Sequence, residues 1–183
     1  MKHILLAASI LALSLTTQVY AKKAQTEESA ENTAEAPAAK ADNGVFGYWK
    51  TVKSPEDGEN QVGYIHIRTC KSNPSKVCGY VVGGDTPIDP ATGKAWLDKN
   101  NPEESLKTRP VGCLQTLSDF SSAGPNSYED GTIYSAATGK TYSCSLELKD
   151  PNHLAVTGSV LFGAISKTFV WTRMSPAPKN PCQ

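Results

Sequence analysis

Between residues 142 and 148 the chain alternates strictly. Tyr142, Cys144, Leu146 and Leu148 are apolar or aromatic, and Ser143, Ser145 and Glu147 between them are polar. A strand, whose side chains point to opposite faces at each step, turns that pattern into one buried and one wet face. Ile65 and Ile67 alternate in the same way with Tyr64, His66 and Arg68. Eight runs of this kind stand near residues 45–52, 62–69, 77–83, 111–117, 129–134, 141–148, 153–160 and 166–174, most of them rich in Val, Ile, Tyr, Thr or Leu. Short turn-forming stretches such as Glu56-Asp57-Gly58-Glu59-Asn60, Ala137-Thr138-Gly139-Lys140 and Asp150-Pro151-Asn152 suit hairpins between them. No long amphipathic helical pattern interrupts the series. The expected fold is all-β: an eight-stranded antiparallel up-and-down barrel, closed so that no sheet edge is left exposed.

The two ends of the series answer each other. In Gly47-Tyr48-Trp49 the glycine shares a strand face with the tryptophan and leaves room that the indole fills. Arg173, in the last run, can lay its guanidinium on that ring, a contact worth roughly 0.5–2 kcal/mol. Gly47, Trp49 and Arg173 are therefore expected to tie the first strand to the last.

Gly47-Tyr48-Trp49-Lys50-Thr51 at one end and Val170-Trp171-Thr172-Arg173 at the other resemble the lipocalin and wider calycin group of barrels. With Leu97-Asp98-Lys99-Asn100-Asn101-Pro102, Arg109-Pro110, Gly131-Thr132-Ile133-Tyr134 and Gly139-Lys140-Thr141-Tyr142 added, the pattern resembles a bacterial exported family of unknown function with a lipocalin-like barrel. The resemblance spans roughly residues 44–174. It implies a fold; the family has no settled activity to lend.

Residues 84–110 form the one long connection, too long for a hairpin loop and too irregular for a strand, and long loops in small domains are usually functional or mobile. Within it Asn101-Pro102-Glu103-Glu104 predicts a capped helix start with one or two turns up to Thr108. Asp85, Asp89 and Asp98 share this loop, but their spacing fits no calcium-loop template, so they are read as solvated acids that start turns.

The remaining segments set the compartment. Residues 1–21 carry Lys2 and His3, an apolar run from Ile4 to Leu15 and the small-x-small site Val19-Tyr20-Ala21, the pattern of a secretory signal too short to span a membrane. Residues 22–43 lack aromatic side chains and read as a disordered linker. The barrel domain is expected over 44–174 and a C-terminal tail over 175–183. Five cysteines in an exported chain point to disulfides. Cys70 and Cys78 face each other across a hairpin neck, and Cys113 and Cys144 occupy inward positions of apolar runs. The expected pairs are thus Cys70–Cys78 and Cys113–Cys144, with Cys182 left over; Cys182 could instead tie the tail to the barrel by taking one of the others.

The expected location is periplasmic or secreted. Eighteen basic and eighteen acidic residues, with no basic stripe, give no footprint for nucleic acid. No catalytic constellation is legible: His66 and His153 sit in no ligand pattern, there is no G-x-S-x-G elbow, and Gly139-Lys140-Thr141 reads as a tight turn. No cofactor, metal or enzymatic activity is expected. Trp49, Tyr142, Phe169 and Trp171 face inward by parity and are the candidate contacts for a small apolar or amphipathic ligand entering near the long loop. The alternative is an envelope protein partner: a protein-binding module, such as a protease inhibitor, that uses residues 22–43.

Overall fold

The computed structural model of the protein describes residues 44–182; the segments expected as signal (1–21) and linker (22–43) lie outside the described residues. The strands are β1 (Gly47–Lys50), β2 (Gly63–Thr69), β3 (Val77–Gly84), β4 (Ile88–Asp89), β5 (Lys94–Ala95), β6 (Gln115–Gly124), β7 (Ser127–Ser135), β8 (Lys140–Asp150), β9 (His153–Val160) and β10 (Ile165–Arg173). Eight of them close a barrel in the order β1-β10-β9-β8-β7-β6-β3-β2, while β4 and β5 pair only with each other. Each barrel strand is antiparallel to its neighbours. The period-two pattern lands as the pleat demands: Cys144 and Leu146 are buried, and Ser143 and Glu147 are exposed.

The hairpin connections sort the barrel into two ends. The β2–β3, β6–β7 and β8–β9 turns lie at one end, together with the entry of the chain at Gly44. That half is filled: Val45, Trp49, Ile67, Phe120, Leu146 and Leu154 are fully buried there. The Trp49 indole N–H donates to the Val45 carbonyl at 2.8 Å, which satisfies its one donor in the core. The Arg173 guanidinium lies 4.2 Å from the centre of that ring. It donates from Nη1 to Phe46 O (2.7 Å) and from Nη2 to Gly44 O (2.6 Å), and from Nε to the Pro151 carbonyl. Gly47 has a different reason from the one its spacing implied. Its φ is +118°, and a Cβ there would meet Arg173 Nη1 at 3.0 Å, so the glycine makes room for the arginine and not for the indole.

Gly131 of β7 faces Phe120 of β6 so closely that a Cβ would stand 2.4 Å from the ring. Gly131→Ala is therefore expected to cost about 1–3 kcal/mol as an overpacked core. Urea unfolding checks this, and Phe120→Leu in the same chain should recover part of the loss because it removes the atoms in conflict.

Three expectations are corrected here. The strand placed at 111–117 begins only at Gln115 and runs on to Gly124; its second half, Ser118-Asp119-Phe120-Ser121-Ser122, reads as a polar loop because its outward face is serine-rich and Asp119 adopts φ +63°. The long connection is not strand-free, since β4 and β5 form a small hairpin inside it. The helix expected from Asn101 to Thr108 is a single 3-10 turn, Glu104–Leu106. Asn101 does accept the Glu103 amide at 2.8 Å, but its other arm is drawn into a buried network, and the turn has no buried face to extend it.

The tail after Arg173 does not leave the barrel. The Met174 amide donates to Tyr48 O at 2.8 Å. Asn180 Nδ2 then sits 3.3 Å from Tyr48 Oη and 3.2 Å from His66 Nδ1, against rings stacked 4.3 Å apart. Burial, and then the neighbouring Arg68 charge, pull the His66 pKa below its ordinary value, which favours the neutral ring against the tail.

Candidate functional site

At the opposite end of the barrel, the β1–β2, β3–β6, β7–β8 and β9–β10 connections surround an open cup. Its volume is about 710 Å³. Trp171, Ile65, Val81, Leu114, Ile133 and Phe169 line it from the strands and their approaches. Trp171 and Ile65 are 5% and 3% exposed and also belong to the core below, so the filled half serves as the floor of the open one. The surface within the cup is mainly apolar, with hydroxyls and amides such as Thr51, Asn60 and Thr116 interspersed.

The long connection forms one wall. Trp96 and Leu97 line the cup, and the Trp96 indole N–H is held by Thr86 O at 2.8 Å. What fixes this wall is Asp98, which is fully buried. Its Oδ2 accepts from Arg109 Nε at 2.9 Å, Arg109 Nη2 at 2.8 Å and Asn101 Nδ2 at 2.8 Å, and its Oδ1 accepts from Tyr134 Oη at 2.6 Å. Tyr134 belongs to β7, so this one carboxylate pins both arms of the loop to the barrel. Loss of solvent, then the hydrogen bond to Asp98, raises the Tyr134 phenol pKa. Next to it, Asn100 Nδ2 donates to Ala137 O at 2.6 Å, and a Cβ on Gly139 (φ +69°) would stand 1.8 Å from Asn100 O. The Gly139-Lys140-Thr141 segment is a tight turn that lets the loop come close.

The three loop acids have separate partners. Asp85 accepts from Tyr64 Oη at 2.6 Å and from Lys50 at 2.9 Å, while the buried Asp89 accepts the Ala91 amide at 3.0 Å and Lys99 at 3.3 Å. The Ala91 amide holds the Asp89 carboxyl below its ordinary range. Reading all three as solvated is corrected for Asp89 and Asp98. At the rim Lys99 is engaged by Asp89, and Glu59 accepts from the Ser135 hydroxyl.

Of the four aromatic residues expected to face a ligand, Phe169 and Trp171 line the cup. Trp49 lies in the filled half beneath Arg173, and Tyr142, half-buried on β8, is outside the lining. Parity alone gives a residue's side of the sheet and not its height along the barrel. Sequence reasoning missed Trp96, Leu97 and Leu114 as wall residues because they precede or lie outside regular strands. Ile133 was reachable, two steps from the inward Gly131.

Cys70 and Cys78 form the expected disulfide across the β2–β3 neck. Cys113–Cys144 is corrected: Cys113 is bonded to Cys182, and Cys144 is free and buried. Cys113 precedes β6 in a turn, with φ +69°, so strand parity did not apply to it. The bond fastens the tail beside the cup, where Pro181 and Gly112 join the lining. Burial pushes the Cys144 thiol from 9.0 up to about 12. Native protein at pH 8 is thus expected to show no thiol reactive with a disulfide reagent, and one after unfolding in guanidinium. An acid whose folded pKa is raised stabilises fully below its unfolded value and loses that contribution as pH rises towards the folded one. Stability should therefore fall between about pH 9 and 12, with a shallower slope in Cys144→Ala.

Comparison with known proteins places the fold. The model of a family described as "Uncharacterized protein conserved in bacteria (DUF2147)" matches residues 47–173. Protein HP1028 from the human pathogen Helicobacter pylori, described as belonging to the lipocalin family, superposes with a TM-score of 0.60 at 26% identity, over 72% of this chain and 84% of that one. No curated protein matches the chain significantly.

Proposed function

The chain belongs to the bacterial family DUF2147 of uncharacterized proteins, and from that premise we propose that it is a non-catalytic, exported binding protein for a small apolar or amphipathic ligand. One observation carries this reading: a cup of about 710 Å³, open at one end and walled mainly by apolar side chains. Small-molecule sites commonly occupy ~300–1,000 Å³ and combine apolar walls with a few polar anchors. The likeness to HP1028, described as belonging to the lipocalin family, supports a ligand-binding reading of this barrel. The two disulfides fit an oxidising compartment, and the periplasm is the proposed site of action. Phe169, Trp171, Ile133 and Val81 are the proposed contacts for the apolar part. Lys99 and Glu59 are already engaged, so the polar part is expected to meet hydroxyls and amides at the rim.

Titration with the apolar dye N-phenyl-1-naphthylamine tests this. The dye is expected to brighten on binding, and Ile133→Glu to weaken it at least about tenfold, or ~1.4 kcal/mol. Ser143→Glu, on the exposed outer wall, should leave binding unchanged. Dye binding that ignored Ile133→Glu would place the site elsewhere.

A further inference from the structure

Exposed apolar side chains on a soluble barrel are ordinarily scattered singly. Here they are segregated. Of the large apolar residues exposed among the described ones, Val52, Ile88, Val160, Leu161 and Ile165 belong to segments framing the open end, and only Val170 stands on the barrel wall. The most exposed are Leu161 (67%) and Ile165 (60%), on either side of the β9–β10 turn. The turn reads Val160-Leu161-Phe162-Gly163-Ala164-Ile165 and contains no charged or hydrogen-bonding side chain. Leu161 holds φ at +52°, a region bulky residues enter only when something compensates the strain. It does so with its side chain in water, so packing is not the compensation.

We propose that this turn is a membrane-docking finger, whose apolar tip enters the boundary between headgroups and acyl chains of a phospholipid bilayer. The finger would hold the mouth of the cup against the lipid surface. Docking stands on the exposed turn alone; its use in loading the cup rests on the ligand-binding reading above.

Area argues for a lipid surface over a second protein. Specific protein interfaces bury at least ~1,200 Å² in total, and one hairpin turn with a few exposed apolar side chains offers on the order of a few hundred Å². A bilayer boundary demands no matching shape and accepts short apolar insertions, which give weak, reversible attachment. The surroundings of the tip fit that depth. Directly behind it the outer wall turns polar, with Ser159, Ser166 and the Thr157–Thr168 hydroxyl pair at 2.8 Å. Lys167, bonded to Glu56 at 2.9 Å, lies two residues from Ile165. Lys140 lies three residues beyond Ser143, the β8 partner of Ser159. Hydroxyls and lysine stems at this level suit a headgroup layer.

The test is flotation of the purified protein with vesicles of phosphatidylethanolamine containing a minority of phosphatidylglycerol. The wild type is expected to float, and the double variant Leu161→Asp/Ile165→Asp to lose at least about tenfold of its vesicle partitioning. Val170→Asp should float like the wild type. All three should bind N-phenyl-1-naphthylamine equally, which scores the cup separately from the finger. The proposal is overturned if the wild type stays with the soluble fraction, if the double variant floats as well as the wild type, or if Val170→Asp loses as much. A concentration-dependent wild-type dimer that the double variant abolishes would also overturn it, by assigning the turn to a second copy.

Discussion

Asp98→Ala is expected to cost about 3 kcal/mol and to loosen the long connection before the barrel opens. The carboxylate is fully buried and accepts four hydrogen bonds, two of them from Arg109. Removing one partner of a buried ion pair costs ~3–5 kcal/mol when the other charge is left stranded. Arg109 keeps 34% of its side chain exposed, so it can turn to water, and the lower end of that range applies. For a domain of this size the midpoint of thermal unfolding should fall by on the order of 10 °C. Asp98→Asn should lose somewhat less: its one oxygen can keep the Arg109 and Asn101 donors and its amide can donate to Tyr134 Oη, but the negative charge opposite Arg109 is gone. Limited proteolysis gives the local readout. New cleavage within 94–110, ahead of global unfolding, distinguishes a released wall from a uniformly weakened core.

Arg173→Leu is expected to cost a similar ~3 kcal/mol by a different route. It removes charge-assisted bonds to the carbonyls of Gly44, Phe46 and Pro151 and the contact with the Trp49 ring. Such bonds are worth ~1.5–3 kcal/mol each when measured singly but do not add, and the freed carbonyls at the barrel end can reach water. Urea unfolding measures the loss. A double-mutant cycle with Trp49→Leu should return a coupling of about 1 kcal/mol, the range of a cation–π pair. Full additivity of the two substitutions would show that the ring and the guanidinium are neighbours without energetic contact.

The barrel was legible because most strands are wet on one face, which writes the pleat into the order of residues; β3, buried on both faces from Val77 to Tyr80, showed as a Val-rich run instead. The alternation from Tyr142 to Leu148 lies wholly within β8, Lys140–Asp150, and falls short of it only at the two ends. The pattern fails where the outward face and a local bend look alike, as in the serine-rich second half of β6 with its left-handed Asp119. The clamp was half legible. Leu97-Asp98-Lys99-Asn100-Asn101-Pro102 stood out as a motif, yet a lone aspartate in a loop reads as solvated until Arg109 and Tyr134, 11 and 36 residues away, are brought to it. Cys182 shows the same limit. Its partner lies 69 residues upstream, and no periodicity connects a tail to a turn. The height of a side chain within the barrel depends on register across all eight strands, which is why Trp49 and Trp171 look equivalent in sequence but lie in the filled and open halves.

If the open end is a receptacle for a small apolar molecule, the protein should carry or take up such a molecule. Native mass spectrometry of the protein recovered from cells, beside its denatured mass, tests it most directly. The expected result is a small noncovalent mass that leaves on denaturation, over a chain four hydrogens lighter than its reduced form for the two disulfides. A bare native mass, with no uptake when the apolar dye is added, would contradict it.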